Sequence, residues 1–154
     1  MRVGLGIDVH PFSTGRRLVL CGVEIPHERG LSGHSDGDVA IHALMDALLG
    51  AAGLEDIGTL FPNTSEWQDA SSLDLLAIVG KLIAASGYRL VNADMVFLLE
   101  EPRIAPWRSK MREILEKALP GAAFNLKATT TEKLGFLGRG EGIAVLAIVL
   151  LEEV

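Results

Sequence analysis

The chain has 154 residues, 49% hydrophobic and 22% charged, which suits one soluble globular domain, residues 1–154, with a full core. A formal net charge of −6 excludes the basic footprint of a nucleic-acid binder; an anionic ligand would need a locally positive pocket of metal ions, a few Lys/Arg or backbone N–H groups. The single cysteine, Cys21, excludes a disulfide framework, and the longest apolar run, residues 143–151, is too short to span a membrane, so a cytoplasmic protein is expected.

Residues 2–9 read as a first strand and 16–26 as a second, broken at Gly22. The clearest helix runs over 35–53, with Ser35 or Asp36 as its cap and Gly53 as its end. Residues 56–70 are polar and turn-rich and read as a loop. A second helix is predicted over 71–86, with Leu73, Leu76 and Ile83 facing inward. A long strand follows over 88–100, where Asn92 and Asp94 alternate with apolar residues and mark a partly polar face. The spacing of Trp107, Met111, Ile114, Leu115 and Ala118 predicts a third helix over 105–119. A strand over 123–130, a glycine-rich turn over 134–142 and a final strand complete the chain. Interleaved strands and helices predict an α/β domain in which three helices cover one face of a mixed sheet. No helix remains for the other face, and assembly with other copies is the simplest cover.

Three stretches carry chemistry-bearing residues. In "GIDVHPF" (6–12), strand alternation projects Asp8 and His10 to one side, a geometry for two ligands of one metal. "HSDGDVAIH" (34–42) offers His34 or His42 as a third, and an Asp with two His suits zinc with an open position. The pattern is equally that of a strand end, with His10 before Pro11 in a turn. In "KATTTEKLGFLGRGEG" (127–142), threonine hydroxyls and backbone N–H groups can face phosphate oxygens, with Lys127 and Arg139 nearby and Glu132 as a ligand for a hard cation. Plain β-propensity explains the same threonines. In "DIGTLFP" (56–62), Asp56 suits either a ribose diol or an Asx turn.

Together, "GIDVHPF", "CGVEIP", "HSDGDVAIHALMDALLGAAGLEDIG", "LFP" and "KATTTEKLGFLGRGEGIA" resemble the 2-C-methyl-D-erythritol 2,4-cyclodiphosphate synthase family of the non-mevalonate isoprenoid pathway, in order and separation along nearly the whole chain. The resemblance implies a two-layer α/β (α+β) sandwich forming a homotrimer, with sheets packed around a threefold axis and active sites between subunits. It makes Asp8, His10 and His42 the ligands of a zinc-type ion, and Glu132 the ligand of a magnesium or manganese ion at the diphosphate. His34 and Thr130 become the groups that stabilise the transition state. Ser35, Asp56, Ile57, Gly58, Phe61, Thr129, Thr131, Phe136 and Arg139 become substrate contacts. From the adjacent subunit, Leu99, Glu100, Glu101, Pro102, Arg103, Ile104 and Ala105 would wrap a cytosine, mainly by backbone. The implied reaction is attack of a 2-phosphate on the β-phosphorus of the substrate's own cytidine diphosphate, releasing CMP. An isoprenoid diphosphate is a further implied ligand, in a central cavity near Leu5, Ile7, Arg139 and Glu141. The chain departs from the family at Asn63–Ser65, where an acid is common, and in the paired acids Glu100 and Glu101.

Overall fold

Alternation along the first strand sets the architecture. The computed structural model describes residues 1–154, and its strand β1 runs from Arg2 to Ser13. On one side of β1 stand Gly4, Gly6, Asp8 and His10; on the other stand Val3, Leu5, Ile7 and Val9, all exposed. Helix α1 (Val39–Ala52) lies against the glycine side. A Cβ on Gly4 would sit 1.9 Å from the Ala47 carbonyl oxygen, and one on Gly6 1.9 Å from that of Ala43. Two missing side chains thus let the helix backbone rest directly on the strand.

The main sheet has five strands in the order β4-β1-β7-β5-β6, with β4 at Gly30–Leu31, β5 at Tyr88–Leu98, β6 at Ala123–Thr129 and β7 at Gly142–Glu153. Only β5 and β6 are parallel, and a crossover through helix α4 (Arg108–Ala118) joins them. Helix α3 (Ser72–Ala85) packs beside α1. These three long helices cover one face of the sheet. Phe97, Met95, Val145 and Ala147 reach up from it to meet Ile41, Leu44, Leu48 and Leu76 in a continuous core. No helix is long and apolar enough to cross a membrane.

Several boundaries differ from the sequence expectations. β1 continues past His10 and Pro11 to Ser13, so His10 stands within a strand and not at a turn. The expected strand over 16–26 is a separate hairpin, β2 (Leu18–Leu20) and β3 (Val23–Ile25), turned by Cys21 and Gly22, both with positive φ. α1 begins four residues later than expected. Its cap is Asp38, whose carboxylate accepts from the Ile41 N–H, because Gly37 at φ +76° breaks the chain direction before it. Within 56–70 a single helical turn, α2 (Ile57–Leu60), forms behind Asp56. Residues 105–107 form a 3₁₀ turn ahead of α4, and the glycine-rich segment holds a one-turn helix, α5 (Gly135–Gly138). Leu73 is only half-buried; Leu75 and Val79 take its expected place in the core.

Candidate active site

The close seat of α1 on β1 brings His42 down onto Asp8 and His10. The Asp8 Oδ2 lies 2.7 Å from His10 Nε2 and 3.2 Å from His42 Nδ1, and the two ring nitrogens are 3.2 Å apart. Burial alone would raise the Asp8 pKa, but hydrogen bonds and charge from the two imidazoles outweigh it and hold the carboxyl well below the usual range. One oxygen and two nitrogens thus converge on one point, a donor set that fits a zinc-type divalent cation with a position left for a ligand. The outer edge of His42 is already tied down. Its Nε2 lies 2.9 Å from Ser35 Oγ and 3.1 Å from Ser72 Oγ, the arrangement expected behind a metal-binding histidine.

Around this triad lies a cavity of about 330 Å³, lined among others by His34, Ser35, Ile57, Gly58, Phe61 and Trp67. Arg16 holds the loop that carries His34 and Ser35, donating to the carbonyls of Gly33 and Ser35 at 3.1 and 2.8 Å. The Nε2–H of His34 donates to the Thr64 carbonyl at 2.9 Å, which leaves Nδ1 as the other ring nitrogen. The far wall hangs from Asp46, whose carboxylate accepts the Ile57 N–H at 2.8 Å; burial pushes its pKa up. Asp56 spends one carboxylate oxygen on capping α2 through the Thr59 N–H, also at 2.8 Å. Trp67 stacks edge-on against Phe61 at 5.1 Å. Asn63 lines the cavity as well.

The remaining candidates gather elsewhere. Beyond β6 the chain turns through Glu132 and Lys133, both in the left-handed region at φ 55° and 66°. Thr130 Oγ1 donates to the Glu132 carboxylate and accepts the Glu132 N–H, both at 3.2 Å, and Thr131 Oγ1 donates to the Leu134 carbonyl at 2.7 Å. Glu100 clamps this turn: its carboxylate accepts the Lys133 N–H at 3.2 Å and pairs with Lys133 Nζ at 3.0 Å. That lysine holds the Glu100 carboxyl below its usual range. Leu99 and Ile104 point into the core, so contacts from those two positions fall to the backbone. Glu101, Arg103, Ala105, Thr129 and Phe136 are exposed, and Pro102 is half-buried. Arg139 pairs with Glu141 at 3.1 Å.

The predicted residues therefore form two clusters in one chain, one above β1 and one beyond β6. Thr130 and Glu132 follow β6, with β5 and β7 between that strand and β1, and the segment then returns to the end of β1, where the Glu141 carbonyl accepts the Phe12 N–H at 2.9 Å. Sequence reasoning missed Arg16, Asp36, Asp46, Trp67 and Ser72. Arg16, Asp36 and Ser72 act across long sequence separations, Ser72 lying 30 residues from His42, and no local periodicity reports such contacts, whereas Trp67 packs on nearby Phe61 and Asp46 holds Ile57, 11 residues on. Buried Cys21, with its thiol pushed up by burial, stands apart from both clusters.

The sequence model of the YgbB family matches residues 1–152. A curated relative, the 2-C-methyl-D-erythritol 2,4-cyclodiphosphate synthase of Chlorobium luteolum, is 53% identical, with 99% of both chains covered. Among solved structures, the bifunctional IspDF of Campylobacter jejuni is 43% identical with a TM-score of 0.95, covering 99% of this chain and 42% of that one. A structure of 2C-methyl-D-erythritol-2,4-cyclodiphosphate synthase described as a CDP-bound form is 38% identical with a TM-score of 0.88. It covers 98% of this chain and 100% of that one.

Proposed function

Since this chain belongs to the YgbB family and is a lyase like the synthases it matches over its whole length, we propose that it converts 4-diphosphocytidyl-2-C-methyl-D-erythritol 2-phosphate to 2-C-methyl-D-erythritol 2,4-cyclodiphosphate and CMP. The observation that carries this reading is the convergence of Asp8, His10 and His42 at the floor of a cavity beside His34 and Ser35. The nucleophile is a phosphate that is already anionic, so the site has no need of a strong general base. Its task is to hold two mutually repelling groups in line, where positioning supplies several kcal/mol. Zinc held by Asp8, His10 and His42, with magnesium or manganese on Glu132, would supply Lewis-acid stabilisation of the phosphate oxygens.

The chain's own groups take the other roles. His34 and Ser35 bind the methylerythritol phosphate portion, His34 also supporting charge in the transition state. Asp56, Ile57, Gly58 and Phe61 enclose the substrate beside them. Thr129, Thr130 and Thr131 offer hydroxyls to the diphosphate, and Phe136 and Arg139 add contacts. Residues 99–105 bind the cytosine through their backbone. The separation of the two clusters supports a site completed between subunits of a homotrimer, with β1 and α1 of one chain facing the turn beyond β6 of its neighbour. The apolar open face of the sheet supports the same assembly and, at its centre, a cavity for an isoprenoid diphosphate. We place the whole of residues 1–154 in one catalytic domain, acting in the cytoplasm.

The test is product analysis with zinc and magnesium or manganese supplied. CMP released together with the cyclic product supports the proposal. CMP with a linear product would make the chain a metal-dependent hydrolase, and no turnover with both metals present would make it a binding protein.

A further inference from the structure

We propose that Asp36 and Ser72 are positioning residues that fix the tautomer of His42, placing the ring proton on Nε2 and the lone pair on Nδ1. The inference follows from hydrogen-bond direction. The Asp36 carboxylate takes donors only: its Oδ1 accepts from the Asp38 N–H at 3.1 Å and its Oδ2 from the Ser72 N–H at 2.9 Å. The Ser72 hydroxyl lies 2.5 Å from the same Oδ1, so its single hydrogen is committed to Asp36. What Ser72 Oγ turns toward His42 Nε2, at 3.1 Å, is therefore a lone pair. A bare Nε2 would face that lone pair with no hydrogen between them, whereas an Nε2–H donates to it.

Burial enforces the direction. Ser72 is 0% exposed, Ser35 6% and His42 8%, so water has little access to reverse the chain. With the proton on Nε2, the Nδ1 lone pair points at the place where Asp8 Oδ2 and His10 Nε2 converge, 3.2 Å from each. The Ser35 hydroxyl, 2.9 Å from Nε2, accepts a share of the same N–H and keeps its own hydrogen for the cavity. Carboxylate, hydroxyl and imidazole thus form a relay that runs from the start of α3 through α1 to the candidate metal position. The relay rests on reading Asp8, His10 and His42 as a metal site: with a cation between them, the Nδ1 lone pair and the Asp8 carboxylate, 3.2 Å apart, both become ligands, whereas without one the carboxylate would draw the proton to Nδ1.

The test has two parts. ¹⁵N NMR of the full-length protein loaded with Zn²⁺ reads which ring nitrogen of His42 carries the proton; it is expected on Nε2, and a proton on Nδ1 overturns the relay. Zinc affinity is then measured with Zn²⁺ alone against a competing chelator for the unaltered chain, Ser72→Ala, Ser72→Thr and Asp36→Asn. Loss of the Ser72 hydroxyl is expected to weaken zinc binding by about 10- to 100-fold, the usual effect of removing an outer-shell partner. Ser72→Thr, which keeps the hydroxyl, should recover most of the loss. A Ser72→Ala affinity within about twofold of the unaltered chain would refute the relay, as would a threonine variant as weak as the alanine one. If Ser72→Ala does not fold, the NMR measurement still decides. If none of the chains binds zinc, the metal reading fails and the relay falls with it; if all of them bind it equally, the relay alone fails.

Discussion

Asp38 is a buried carboxylate that joins two segments of the fold. It is 0% exposed, and its carboxylate accepts N–H groups from Cys21, Gly22 and Ile41 at 3.0, 2.7 and 3.1 Å. It thereby ties the β2–β3 turn to the first turn of α1. Burial raises its pKa, and the three donors recover only part of that cost, leaving it at about 6 against an ordinary 3.8. With the folded value above the unfolded one, the folded chain binds the extra proton between those two pH values. The stabilising contribution is full below pH 3.8 and is lost as pH rises through about 6. Asp38→Asn cannot titrate and sets an amide N–H₂ against one of the N–H donors. Its cost in urea unfolding should be about 1 kcal/mol greater at pH 5 than at pH 7.5. A cost that grows with pH would show that the donors outweigh burial.

At the scale of elements, the seat of α1 on β1 decides whether a site exists. Gly6→Ala would drive a Cβ into the Ala43 carbonyl, so the helix must lift, and His42, one residue before Ala43, lifts with it. The substitution should destabilise by about 3 kcal/mol, as overpacking does, and weaken Zn²⁺ binding at least tenfold. Gly50→Ala is the control: it lies on the same helix with open space at its Cβ, and should leave zinc affinity unchanged while stabilising by about 0.5 kcal/mol. Equal zinc affinities for both variants would detach the site from the helix seat. The helices themselves were legible because apolar period and length suffice for α1, α3 and α4. The start of α1 was not: Ser35 and Asp36 look like a cap, yet Asp36 is spent on Ser72, and the cap falls to Asp38. The pair Asp8 and His10 was legible from strand alternation alone. Their union with His42 depends on two glycines opposite a helix carbonyl row, a packing fact that residue spacing does not encode, and the family resemblance supplied it instead.

At the scale of the whole molecule, the open face of the sheet is the unfinished surface. Residues opposite one another in the ladder share a face, so Leu5 lies beside Ile148 and Ile7 beside Leu146. Leu5, Ile7 and Ile148 are 57%, 54% and 49% exposed. Toward β6 the same face turns polar, with Asp94 bound to Lys127 at 2.6 Å. An apolar centre with a charged flank suits burial against copies of the same chain. The proposed trimer also explains why Asp8, His10 and His42 lie on β1 and α1 while Thr130 and Glu132 lie beyond the opposite edge strand. If each active site takes the first group from one chain and the second from its neighbour, two inactive variants must complement. His42→Ala and Glu132→Gln, each inactive alone, are unfolded together, refolded as an equal mixture and assayed for CMP release. A site is intact only where a Glu132→Gln chain supplies the histidine and a His42→Ala chain supplies the glutamate. Random assembly makes that about a quarter of sites, so about a quarter of the unaltered activity should return. If both groups of a site came from one chain, every site in the mixture would carry a defect and no activity would return.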